Sequence, residues 1–98
     1  MNSILQSECR CYFCGSYEWI EEHHIFGGNP NRRISEENGF KVFLCHWHHN
    51  EPPDGVHFNR RNRLRLQEEC QRRYEEMGHT RAEFIALIGK NYLYGEKV

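Results

Sequence analysis

A small α+β domain is the fold class the sequence predicts. Three observations predict it: two short aromatic and branched runs of extended character, a helix-period stretch after residue 59, and cysteines and histidines crowded between them. The 98 residues, 38% hydrophobic and 28% charged, fit one domain over 1–98 and leave no chain for a second core. Apolar runs are only a few residues long and mean hydropathy is −0.89, so no membrane span or secretory leader is expected, and a cytoplasmic location is. Thirteen aromatic residues, two Trp, five Tyr and six Phe, with a net charge of −1 argue against disorder. A chain this small buries only about 60–65% of the surface its unfolded form exposes, so an additional staple is expected.

The elements follow in order. Residues 1–8 are expected to be loose. Residues 17–26, rich in aromatic and branched side chains, predict a strand that ends at Gly27-Gly28-Asn29-Pro30. Residues 39–45 alternate, with Phe40, Val42 and Leu44 on one face, and predict a second strand; a long loop over 27–38 would join the two as a hairpin. The prolines and glycine of residues 50–55 interrupt any helix there. Leu66, Cys70, Tyr74 and Met77 then mark one face of a helix that starts near Arg60 and ends near Gly78. Thr80-Arg81-Ala82-Glu83 has capping-box spacing and opens a short helix carrying Phe84, Ile85, Leu87 and Ile88, stopped by Gly89. Residues 95–98 are expected to be a loose end.

Six of the seven His lie between His23 and His57, and Cys9, Cys11, Cys14 and Cys45 precede or interleave with them, unlike a disulfide framework. Cys11-Tyr12-Phe13-Cys14-Gly15 is a knuckle in which two thiolates on a tight turn face one ion. Cys45-His46-Trp47-His48 supplies a second pair at the same spacing. Cys11, Cys14, Cys45 and His48 are therefore assigned to a closed structural Zn2+, a type of site that supplies about 10–16 kcal/mol in zinc-finger peptides. The competing readings are a redox pair or unrelated buried thiols. Cys9 is an alternative to Cys11, and Cys70 reads as a small core residue.

His23, His24, His46, His49 and His57 remain, too many for the closed site. On a strand, adjacent His23 and His24 point to opposite sides, so one can hold a metal while the other handles a proton, or one is a ligand beside a solvated neighbour.

The order Cys-x-x-Cys, His-His-Ile closing a strand, a strand into Leu-Cys-x-x-His-His, then a helix resembles the HNH endonucleases. These are the ββα-metal, treble-clef-like nucleases, and the likeness is to the small zinc-stapled versions of phages. It covers residues 9–58, with 59–90 as C-terminal helices; residues 51–59 and 89–93 also look like relatives of the Ref-type RecA-dependent nucleases. The resemblance implies that His23 ligates a catalytic divalent metal (Mg2+, Mn2+, Ni2+ or Zn2+), that His24 is the general base, and that His49 is a further ligand. His57 would be a third ligand or a phosphate contact. The family's middle Asn, which orients the base, falls at Phe40 here. Asn38 is the nearest substitute, with Asn29, Asn31 or a backbone carbonyl as alternatives. The implied reaction is hydrolysis of DNA phosphodiester bonds to 5′-phosphate and 3′-hydroxyl ends.

A net charge of −1 excludes a protein-wide basic footprint, but residues 60–73 carry six Arg against two Glu. Arg32, Arg33, Arg60 and Arg61 are the phosphate-contact candidates, although much of the arginine on this helix also fits a solvated face. Two other functions fit the same residues: a non-catalytic zinc-stabilised nucleic-acid-binding module, and a recombination or packaging accessory that needs a protein partner.

Overall fold

The computed structural model describes residues 1–93. It is a small α+β structure with one two-stranded sheet and four helices: β1 (Ile20–His24), α1 (Asn31–Asn38), β2 (Lys41–Cys45), α2 (His46–Asn50), α3 (Arg60–Glu76) and α4 (Arg81–Ile88). The strands pair antiparallel, Ile20 opposite Cys45 and His24 opposite Lys41. β1 is shorter than the expected 17–26 because Trp19 has φ 48°, which breaks the extended run, and its carbonyl accepts from His46 N–H.

The expected face of β2 is in place: Phe40, Val42 and Leu44 are fully buried. They join Phe26, Leu66, Cys70, Tyr74, Phe84 and Ile88 in one core, where the rings of Phe26 and Phe84 lie 5.5 Å apart and those of Phe40 and Tyr74 5.3 Å. Cys70 is a core residue, as expected. Met77 is not on this face; it caps the end of α3 and is 44% exposed. Among the described residues, no helix is long and apolar enough to cross a membrane.

Two further expectations are corrected. Residues 27–38 are not a long loop, since they contain α1, which ends where Gly39 takes φ 72° and donates to Ser35 O. A side chain at Gly39 would collide with Asn2 O, so this turn also fixes the N-terminal segment. Residues 1–8 are correspondingly tied down: Ile4 N–H donates to Gly39 O, Ser3 Oγ to Lys41 O, and Gln6 Oε1 accepts from Phe43 N–H, which covers the free edge of β2. Residues 95–98 lie outside the described residues.

α4 has the capping box that its sequence announces, Thr80 Oγ1 accepting from Glu83 N–H and Glu83 Oε1 from Thr80 N–H. α4 is fastened to α3 by Glu75, which accepts from Arg81 Nε and Nη2 at 3.1 and 3.2 Å and from Gln71 Nε2. The Arg81 hydrogen bond holds the Glu75 carboxyl below its ordinary 4.5. A depressed carboxylate stabilises the fold above its ordinary value and loses that effect as pH falls through its native one. Glu75→Gln should therefore lower the melting temperature at pH 7 by an amount equivalent to about 1.5–3 kcal/mol, with the difference from wild type closing below pH 4 in a thermal melt series.

Candidate metal centre

The knuckle forms because Gly15 takes φ 77° and donates to Cys11 O at 2.8 Å, folding Cys14 back over Cys11. The knuckle is held against β2 by Tyr12 N–H donating to Phe43 O, and against α3 by the Tyr12 hydroxyl on Glu69 and by Arg65 lying over the Phe13 ring. β2 runs straight into α2, so Cys45 and His48 arrive on one turn of chain.

Cys11, Cys14, Cys45 and His48 form a cluster that could hold a metal such as zinc. A tetrahedral ion with Zn–S of about 2.3 Å and Zn–N of about 2.0–2.1 Å requires sulfurs about 3.8 Å apart and sulfur to nitrogen about 3.6 Å. Cys14 Sγ and Cys45 Sγ are 3.9 Å apart, and His48 Nδ1 lies 3.6 Å from Cys11 Sγ and 3.3 Å from Cys45 Sγ. The residues thus fit the ion. Burial pushes the Cys11 thiol up, but backbone N–H groups of Cys45, Cys14 and Phe13 aimed at its sulfur outweigh this and bring it down to about 7. Burial raises the Cys45 thiol. Cys9 is exposed and outside the cluster.

A second cluster, His23, His49 and His57, also brings ligand atoms within 4.8 Å of one another. His23 projects from β1 onto the face shared with Glu21, and is buried, while His49 comes from α2. The turn at residues 55–57 delivers His57, tied back by Val56 N–H to His48 O and His57 N–H to His49 O. His49 Nε2 and His57 Nε2 are 3.1 Å apart, close to the roughly 3.3 Å that one tetrahedral ion imposes on two imidazoles. His23 Nε2 is buried with no hydrogen-bond partner among the described residues, an unsatisfied atom that an ion would satisfy. Burial, followed by the neighbouring His49 and His57, holds His23 at about 3, so it is neutral and competent as a ligand at neutral pH.

Glu21 organises this cluster from behind. Its Oε1 accepts from His49 Nδ1 at 2.8 Å and from Asn50 Nδ2, and its Oε2 takes His46 Nδ1 at 3.0 Å. Burial raises the Glu21 carboxyl, but these donors outweigh it, so the group is ionised, can only accept, and leaves the His49 lone pair on Nε2, facing His57. His46 lies between Glu21 and Glu51, which raise its pKa, and stacks on Trp19; it belongs to neither cluster. Glu21→Gln should weaken divalent-ion binding at the three histidines by about 10–100-fold while leaving one tightly held zinc, as read by titrating Ni2+ into zinc-loaded protein.

His24 points the other way from His23, as strand alternation requires. Its Nε2 is 3.2 Å from Glu36 Oε1 and 3.8 Å from Glu22 Oε1, a third group that could hold an ion. Lys41, whose Nζ is 2.6 Å from Glu36, is the main cause holding the Glu36 carboxyl at about 2, with His24 next. His24 nevertheless borders the same cavity of about 420 Å3 as His23, His49 and His57, together with Arg32, Arg63 and Gln67.

The remaining sequence candidates are placed as follows. Asn38 does not reach His24; its amide donates to Ile34 O within α1, and Phe40, at the position of the family Asn, is locked in the core. Asn31 donates to Ile88 O. The group on His24 is Glu36, which stands on α1 within the segment 27–38 whose sequence predicts only a loop. Arg32 and Arg33 line a second cavity of about 710 Å3 beside His24, and Arg33 pairs with Glu37. Arg60 and Arg61 open α3, are exposed, and line neither cavity; their helix neighbours Arg63 and Gln67 line the 420 Å3 one instead. Helix spacing gives the signal that could have found them, since Arg63 and Gln67 lie i, i+4 on one face.

No protein-family model, curated protein or solved structure matches this chain.

Proposed function

We propose that this chain is a metal-dependent endonuclease of the HNH type that hydrolyses phosphodiester bonds of DNA, nicking it to leave 5′-phosphate and 3′-hydroxyl ends. The observation that carries this reading is the buried, partnerless His23 Nε2 meeting His49 and His57, with His24 on the rim of the same cavity. A closed structural site has no use for a second set of imidazoles with open positions beside it. The ion would supply positive charge to the phosphoryl and leaving oxygens as charge develops there. Three nitrogen ligands suit Zn2+ or Ni2+ better than Mg2+ or Mn2+, which prefer oxygen.

His24 performs the proton chemistry. The ionised Glu36 can only accept, so it takes the Nε2–H of His24 and leaves Nδ1 with a lone pair to receive a proton from water. Lys41 and the N-terminal amine hold Glu36 in turn, so Glu36 does for His24 what the family assigns to Asn. The Cys11, Cys14, Cys45 and His48 set holds the platform.

A second reading, a zinc-stabilised nucleic-acid-binding module or partner-dependent accessory without cleavage of its own, draws on the burial of Phe40 at the family's Asn position. The deciding experiment incubates zinc-loaded protein with supercoiled plasmid under Mg2+, Mn2+, Ni2+ or chelator. Nicking that requires the added ion supports the nuclease. A folded, zinc-loaded protein that nicks under none of them supports the second reading.

A further inference from the structure

The cavity in front of the three histidines carries positive side chains with almost nothing to neutralise them. Arg63, on the first turn of α3, is half-buried, and its Nη1 donates to Val56 O at 3.0 Å, the only hydrogen bond or ion pair of this side chain among the described residues. That bond spends one of five guanidinium donors and orients the fork from the chain segment that delivers His57. Its side chain lines the cavity together with His23, His49 and His57. Arg32 lines the same cavity, exposed, with no side-chain bond or ion pair among the described residues. Among the described residues, the one acidic side chain lining the cavity, Glu22, is already shared between Lys41 and His24.

An arginine held half-buried beside a set of metal ligands, without a carboxylate, is electrostatically unfavourable unless the occupant is anionic. A planar fork matches the paired oxygens of a phosphate, which a point charge does not. We propose that Arg63, with Arg32 on the same cavity, forms its anion subsite and holds a non-bridging oxygen of a phosphodiester. The proposal rests on the reading of the three histidines as a metal site and adds the residues that hold the substrate there. It moves the phosphate contact from Arg60 and Arg61, which face solvent, to Arg63 on the same first turn of α3, which lines the cavity with the ligands.

The test uses protein carrying one equivalent of zinc, loaded with Co2+ and compared among wild type, Arg63→Met and Arg63→Lys. Co2+ should bind all three alike, by its visible spectrum. Inorganic phosphate should perturb that spectrum in wild type and not in Arg63→Met. Binding of a short single-stranded DNA, read by fluorescence anisotropy, should weaken at least tenfold in Arg63→Met, with the slope against log salt reduced by about one, and less in Arg63→Lys. Wild-type affinity and salt slope in both variants would overturn the Arg63 assignment while leaving the metal site standing. A loss confined to inorganic phosphate, with DNA binding intact, would overturn it as a strand contact. Absence of Co2+ from the three histidines in every protein would overturn the metal site itself, and the subsite with it. Should Arg63→Met fail to fold, Arg63→Lys carries the comparison.

Discussion

Removing zinc with a chelator, or replacing Cys45 by Ser, is expected to unfold the domain and not merely to loosen one turn. The four ligands join the knuckle, the end of β2 and the start of α2, and the knuckle in turn holds α3 through Tyr12 and Phe13. An apparent binding energy of about 10–16 kcal/mol equals or exceeds the whole stability of an ordinary small domain, about 5–15 kcal/mol. Far-UV circular dichroism should collapse on chelation and return with added Zn2+. Cys9→Ser, which alters an exposed thiol outside the cluster, should change nothing. The pH dependence has a definite sign. The Cys11 thiolate, held at about 7 against an ordinary 9, contributes fully above pH 9 and is lost as pH falls through 7; proton competition for the ligands acts in the same direction. A native spectrum in fully zinc-free protein would contradict the whole account.

His24→Ala should reduce nicking by about 10²–10⁴-fold, the usual contribution of a general base, while zinc content and the dichroism spectrum stay as in wild type. His23→Leu makes the sharper contrast. It should abolish both nicking and second-ion binding, yet raise the melting temperature of the zinc-loaded protein by the equivalent of about 1–3 kcal/mol, because it removes a buried nitrogen that has no partner. A His23→Leu protein that melts lower and still cleaves would remove His23 from any functional role. Activity and stability should thus move in opposite directions at one residue, which a purely structural histidine would not do.

What the sequence made legible was whatever depends on local pattern. The alternation of Phe40, Val42 and Leu44, the paired Cys and Cys-His spacings, and the Thr80 capping box with Gly89 as stop all reappear at their expected positions. α1 stayed hidden because it has one apolar residue, Ile34, in eight and follows a run of Gly, Asn and Pro that reads as loop. It is stabilised by contacts distant in sequence: Ser35 Oγ donates to Phe26 O and accepts from Phe26 N–H. Glu36 could be seen as the partner of His24 only with α1 in place. The order of the N-terminal segment is illegible for a related reason, since Ser3 and Gln6 act through single side chains against the β2 edge and leave no periodic trace. Asn38 was the natural choice by distance along the chain, and the helix that removes it from His24 is the same one that supplies Glu36.

Helix α2 is only five residues long, and two consecutive residues on it serve different clusters, His48 the thiolate set and His49 the imidazole set. On a rigid turn the two rings cannot be adjusted independently. With an ion in each set, occupancy of the thiolate set would fix the direction of His49, and the two binding equilibria would be thermodynamically coupled. Linkage makes such coupling reciprocal, so each ion raises the affinity for the other by the same factor. Loading should be cooperative and ordered: the soft, thiolate-rich set fills first at trace metal, and the imidazole set becomes competent only afterwards. Metal supply would then act as a checkpoint, with metal-starved chain inactive by construction and hydrolytic capacity appearing only once the scaffold has assembled.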